Sequence, residues 1–247
     1  MKLDEYLRKE LNLTKKESYE IAYVVENFKR QNKRKLNIKI PIYSIGEEIF
    51  NSVSHGIGAI LSIVALVLMV VKANGALAEA TVSIFGSTMI ILYSISCIYH
   101  ALSYQVEGKK ILRIIDHCNV YLLVYGTYIP ISLLGVGGNL GWILFGFVTT
   151  ITLIGIILTS IKIDKFQLLE VICHLFNGWS ILIGIPKLLS TIGTKGIFYL
   201  IFGGVLYTIG SILYGIGANK KYMHSVFHIF CLLGTFFHFW TIYFYLL

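Results

Sequence analysis

Seven apolar blocks, each close to 20 residues long and joined by short polar connections, constrain this chain more than any other feature. About 20 apolar residues in helical geometry cover the ~30 Å hydrocarbon core of a bilayer. Backbone N–H and C=O groups at that depth must be satisfied within the segment itself, which selects helices or a closed barrel. The blocks lie near residues 49–71, 80–100, 113–134, 140–161, 167–187, 197–217 and 224–246. They predict an all-α membrane protein, a seven-transmembrane helical bundle with short connections and no second folded domain. The balance of 56% hydrophobic to 14% charged residues excludes an ordinary soluble domain.

Residues 1–48 are different in kind. They hold 11 of the 21 Lys and Arg and 8 of the 13 Asp and Glu. No apolar stretch of signal-peptide length occurs there, so this tail is expected to stay on the side where it is made. Thr14-Lys-Lys-Glu17 has capping-box spacing, and Ile21, Val24, Val25 and Phe28 follow at helical intervals, which predicts a short amphipathic helix. Lys29 to Lys39 contains six basic residues and no acidic one. Such a run suits an anionic leaflet surface as partner, and its juxtamembrane position accounts for the charge without nucleic acid. The expected organisation is a basic amphipathic tail over 1–48 and a seven-span domain over 49–247.

Orientation follows from the distribution of basic residues. With the N-terminus cytoplasmic, the tail together with Lys109, Lys110, Arg113, Lys162, Lys165, Lys220 and Lys221 puts 18 on the inside. Lys72, Lys187 and Lys195 leave 3 outside. The positive-inside rule therefore predicts a plasma-membrane protein with its N-terminus cytoplasmic and its C-terminus outside.

Several residues read as structural. Gly203, Gly210 and Gly217 recur every seven positions and form one stripe for close helix approach. Pro130 is expected to kink the third span and Pro186 to mark the end of the fifth. Cys97, Cys118, Cys173 and Cys231 stand singly in apolar segments and read as reduced core residues.

Ionisable residues inside spans are costly and are therefore functional candidates. His224 and His228 are four apart in the last span, on one helical face about 6 Å apart, so their imidazoles can grip one metal ion. Hydrogen bonding of both rings to neighbouring helices is the competing reading. The topology brings other groups to the same end of the bundle: His100 closes the second span with Ser96 one turn deeper, and Asp116 opens the third. Three histidines and an open position make the arrangement of a catalytic Zn²⁺, whose bound water has a pKa near ~7. Asp116 then either takes a proton from that water or orients a ligating imidazole, and Ser96 hydrogen-bonds the water or a developing oxyanion. A metal-free polar cluster tying the helices together is the alternative.

Ser96-x-x-x-His100, Asp116-His117 and His224-x-x-x-His228, in this order and at these span ends, resemble the haemolysin III family. That family is the bacterial branch of the progestin and adipoQ receptor family and is similar to the alkaline ceramidases. Glu48-x-x-Asn51-x-x-Ser54-His55-Gly56, Gly126-Thr-Tyr-x-Pro130 and Gly203-Gly204-x-x-Tyr207 extend the resemblance over residues 44–247. It implies Zn²⁺ on His100, His224 and His228, with Asp116 and Ser96 beside it. It also implies either hydrolysis of a lipid amide or ester in membrane lipid homeostasis, or a non-enzymatic role as pore-former or membrane-state sensor with structural zinc.

The remaining polar residues are expected around this site. Glu48, Asn51 and His55 share a face of the first span, suited to supporting the site, lining lipid entry, or capping and packing. His117 points about 100° from Asp116 and reads as a helix contact. Glu170 and His174 read as a structural pair one turn apart, with contact to substrate as the alternative. His238 lies about 15 Å beyond His228, too far to join it. Polar groups at one end of the spans, rather than along their whole depth, favour a site over a pore.

Overall fold

A computed structural model describes residues 3–34, 38–217 and 220–247, with the side chains of residues 29–34, 166, 167 and 216 outside the description. Most of the basic run from Lys29 to Lys39 thus lies outside the described side chains. The chain divides into two units, Met1–Lys39 and Ile40–Leu247. The first contains α1 (Leu3–Leu11) and α2 (Lys15–Arg34). α2 starts where the capping box places it: the Thr14 amide and hydroxyl donate to Glu17 Oε2 at 2.9 and 2.6 Å, and the Glu17 amide donates to Thr14 Oγ1 at 3.3 Å. These bonds hold the exposed Glu17 carboxyl below the usual carboxylate range. Ile21, Val24 and Phe28 are exposed.

The second unit is helical throughout its ordered elements: α3 (Ile45–Lys72), α4 (Ala76–Ala101), α5 (Gly108–Pro130), α6 (Gly138–Trp179), α7 (Ile185–Ile216) and α8 (Met223–Thr241). Beyond Pro130 the chain continues as a π-helical turn, Ile131–Val136, so the helix changes its pitch at the proline instead of ending there. No strand occurs among the described residues.

Among those residues six helical runs are long and apolar enough to cross a membrane. The fifth and sixth apolar blocks fall within one of them, Leu168–Gly215, of 48 residues. A straight helix of that length would measure about 72 Å, more than twice the hydrocarbon thickness. It is not straight. Ser180–Gly184 tightens to a 3₁₀ turn, and Gly193 leaves helical geometry at φ 66°, ψ 176°, a conformation only glycine adopts without strain. Pro186 stands in the first turn of α7, where its missing N–H costs no hydrogen bond, and so opens a helix instead of closing one.

The 3₁₀ turn leaves backbone groups that a regular helix would satisfy, and Tyr128 takes them up. Its hydroxyl accepts from the Ile181 amide at 2.7 Å and from Ser180 Oγ at 3.0 Å, and donates to the Gly178 carbonyl at 2.7 Å. The tyrosine of Gly126-Thr-Tyr-x-Pro130 is thus a tie across the bundle. α6 has a second irregularity at Lys162 (φ −151°, ψ 73°), two residues before Asp164, whose Oδ1 accepts from Arg113 Nη1 at 2.6 Å.

The glycine stripe works as expected. A Cβ on Gly203 would meet the His238 ring at 2.5 Å, one on Gly210 would meet Phe230 Cβ at 2.8 Å, and one on Gly217 would collide with Met223. All three neighbours belong to α8, so small residues on α7 let α8 pack against it. Phe85, Met89, Val148 and Leu188 are among the fully buried side chains of the common core.

Candidate metal centre

Three elements end or begin at one end of the bundle: α4 carries His100 in its last turn, α5 starts a few residues later, and α8 opens with His224 and His228. The three imidazoles turn inwards. His224 Nε2 lies 3.2 Å from His100 Nε2 and 3.1 Å from His228 Nε2. Three nitrogens at ~2.05 Å from one tetrahedral ion would be about 3.3 Å apart. His100 and His228 are buried. Among the described residues no other set of three His, Cys, Asp or Glu side chains converges in this way.

The orientation of His100 is fixed from behind. Its Nδ1 is 2.6 Å from Glu48 Oε2, and Glu48 Oε1 accepts from Lys109 Nζ at 2.5 Å. A carboxylate is an acceptor only, so the His100 proton sits on Nδ1 and the Nε2 lone pair faces the other two rings. Lys109 is fully buried, also donates to the Leu102 carbonyl at 2.7 Å, and lies 5.1 Å from the Tyr99 ring centre. In the neutral ring a free lone pair, not an N–H, then points to the centre of the trio. That is the state a metal ligand requires.

The start of α8 is held just as firmly. Tyr222 precedes it in the left-handed region at φ 63°, and its amide donates to Glu47 Oε1 at 2.6 Å. Glu47 is the third residue of α3 and closes a capping box on Ser44, whose amide and hydroxyl donate to Oε2 at 2.9 and 2.7 Å. One carboxylate therefore caps the first turn of α3 and anchors the turn that presents His224. His55 stacks on His228 with ring centres 3.6 Å apart and planes 9° from parallel, and Tyr43 covers His224 at 4.9 Å and 22°. Burial against these rings pushes the Tyr43 phenol above its usual pKa.

Asp116 and Ser96 both face a cavity that also reaches His224 and His228. Beyond them its walls are mostly apolar, among them Leu92, Val120, Leu123, Leu175 and Leu200, as far as His238. The ten residues from His228 to His238 make this about 15 Å along α8. His238 bonds the Leu200 carbonyl at 3.3 Å and stays apart from the trio. His117 is turned away from Asp116 towards Glu170, 2.9 Å from its Oε1, so Glu170 pairs more closely with His117 than with its expected partner His174 at 3.6 Å. Asn51 and His55 are buried with side-chain nitrogens that no described atom bonds. Cys97 lies against Ser52 and Cys118 against Ser160, and neither joins the histidines.

Three residues of this centre are silent in the sequence reading: Lys109, Glu47 and Tyr43. Ser44-Ile-Gly-Glu47 has the same capping spacing as Thr14 to Glu17 and was available as a signal. Lys109 counts in the sequence as one more basic loop residue, and only the tertiary contact with Glu48 reveals its place. Glu48, not Asp116, is the carboxylate that orients His100.

The model of the Haemolysin-III related family matches residues 43–239. Hemolysin-3 of Bacillus cereus is 34% identical over 82% of this chain and 93% of its own length. A Hemolysin-3 homolog of Bacillus subtilis (strain 168) is 37% identical over 83% and 96%. More distantly, the Adiponectin receptor protein of Drosophila melanogaster is 21% identical over 80% of this chain and 50% of that protein.

Proposed function

We propose that this chain, which belongs to the haemolysin III-related family, binds Zn²⁺ through His100, His224 and His228 and hydrolyses an amide or ester of a membrane lipid. The observation that carries this reading is the meeting of three imidazole nitrogens, those of His100 and His228 on buried rings, at the polar end of a long apolar cavity. Three ligands leave a position open, whereas a structural zinc is closed by a fourth. When bound, the ion supplies a Lewis acid and makes hydroxide available at neutral pH.

The chain's own groups complete the site. Glu48 and Lys109 keep the His100 lone pair aimed at the centre. Asp116 is the carboxylate that accepts a proton during hydrolysis, and Ser96 donates a hydrogen bond to the charge that develops on the carbonyl oxygen. The apolar cavity holds the acyl chain, and hydrocarbon packing along about 15 Å orients the scissile group.

The topology in this reading has seven crossings, with the break at Gly193 dividing the Leu168–Gly215 run in two. The excess of basic residues in alternate loops supports an N-terminus and a histidine trio on the cytoplasmic side of the plasma membrane, with the basic tail on the anionic leaflet surface. Lipids are the partners; nucleic acid is not.

The deciding experiment combines metal analysis with a lipid panel. Purified protein is expected to hold close to one zinc, and the His224→Ala, His228→Ala double variant none. Release of fatty acid from one of the amides or esters is expected in wild type and not in Asp116→Ala, which keeps its zinc. Wild type that takes up no zinc refutes the metal assignment. Zinc-loaded wild type that cleaves no lipid refutes the hydrolase and leaves the sensor or pore reading.

A further inference from the structure

The cavity has a second polar patch that the hydrolytic machinery does not use. On the α5–α6 side, Glu170 Oε1 takes up His117 Nδ1 at 2.9 Å, and His174 Nε2 stops at 3.6 Å, beyond hydrogen-bonding distance. His174 Nδ1 is buried without a bonding partner and Nε2 has only this long contact with the Glu170 carboxylate, although the ring is well fixed, its centre 3.7 Å from that of Tyr121. His117, Glu170 and His174 all line the cavity. Neither ring engages Glu170 Oε2.

A brace between α5 and α6 would need only the His117–Glu170 bond. It would not leave an imidazole with one nitrogen unpaired and the other only loosely paired in a largely apolar wall, because unpaired buried polar groups destabilise a fold. These groups are complementary to a ligand hydroxyl: the carboxylate accepts its hydrogen and an imidazole bonds its oxygen. A phosphate would meet the carboxylate with like charge. Asp116 and His117 are neighbours on α5 facing about 100° apart, so the patch is a step around that helix from Asp116, and both line the cavity that reaches His224 and His228.

We propose that His117, Glu170 and His174 form a head-group subsite for a single-chain lipid whose uncharged, hydroxyl-bearing head adjoins its acyl linkage. This rests on the reading that the cavity receives an acyl chain, but not on turnover. Binding to the full chain in detergent is measured with two probes that differ by one hydroxyl, N-oleoylethanolamine and N-ethyl oleamide, and with oleoyl lysophosphatidic acid as an anionic control. Wild type is expected to bind the ethanolamide about tenfold more tightly than the ethyl amide, the order expected for one charge-assisted hydrogen bond. The anionic lipid should bind more weakly still.

His174→Phe, which keeps the ring packing on Tyr121, and Glu170→Leu should each reduce the preference to about twofold or less with zinc content unchanged. If Glu170→Leu does not fold, His174→Phe decides. Equal binding of the two amides by wild type overturns the proposal, as does a preference that survives His174→Phe or stronger binding of the anionic lipid. A hydroxyl preference without cleavage of either amide supports the subsite and counts against the hydrolase. Cleavage without a preference does the reverse.

Discussion

Replacing Glu48 with glutamine tests the metal centre at the point where its chemistry is most specific. The side chain keeps its size and one carbonyl oxygen, but two donors now compete for it: Lys109 Nζ, 2.5 Å from Oε1, and His100 Nδ1, 2.6 Å from Oε2. The buried ammonium claims the oxygen, because an unpaired buried charge costs about 3–5 kcal/mol and a neutral imidazole bond far less. The glutamine NH₂ then faces His100 and makes Nδ1 an acceptor. The His100 proton must move to Nε2, the atom 3.2 Å from His224 Nε2. Zinc can bind only after that proton is displaced. Loss of such an orienting partner typically weakens metal binding by about 10–100-fold, roughly 1.4–2.8 kcal/mol. Competition of the purified protein with a chelator of known zinc affinity reads this directly. Adding Lys109→Met frees the glutamine oxygen for Nδ1–H and is expected to restore affinity to within about tenfold of wild type, a strongly non-additive cycle. Wild-type affinity in Glu48→Gln, or a double variant weaker than the single one, would refute the tautomer mechanism.

Three further outcomes are expected. Tyr128→Phe removes a hydroxyl that serves Ile181, Ser180 and Gly178, leaving a buried amide without an acceptor; it should lower stability in detergent by about 1–3 kcal/mol with zinc content unchanged, as thermal unfolding and metal analysis would show. Gly203→Ala places a methyl group against the His238 ring and the Gly234 carbonyl, and should cost about 1–3 kcal/mol of α7–α8 packing, measurable as a lower unfolding temperature. Stripping zinc should lower the unfolding temperature of wild type, by an amount corresponding to roughly 4 kcal/mol when the free ion had stood at a thousand times its dissociation constant; His100→Ala protein should be insensitive to the chelator.

Much of this architecture can be read from periodicity and charge alone. Apolar length gives the helices, and the four-residue spacing of His224 and His228 gives half of the trio, because both signals are local. The parts that escape depend on contacts between distant segments or on backbone irregularity. Residues 48, 100 and 109 meet only because α3, α4 and α5 come together, and a sequence window cannot show that a loop lysine is fully buried. The single 48-residue run arises because the chain stays helical across the polar connection at Ser190, Thr191, Thr194 and Lys195, interrupted only compactly at Ser180–Gly184 and Gly193. Pro186 sits near the end of the fifth apolar block yet in the first turn of α7, where its missing N–H is harmless. His117 was placed correctly as facing away from Asp116, but its partner Glu170 lies 53 positions along the chain.

The division of the trio between two helices has a mechanical side. His100 stands on α4, and both other rings stand on α8, one turn apart. Metal–ligand distances tolerate only about 0.2 Å, while a 1 Å misplacement at a reacting centre can cost about 100-fold in rate. A metal held by the three rings would therefore act as a caliper laid across two membrane-embedded rods. A shear or change of tilt that slid α8 past α4 by a fraction of a helical turn would be read out as altered metal affinity. Bilayer thickness and lateral pressure, which act on helix tilt, would in this way reach a site that no lipid head group needs to touch.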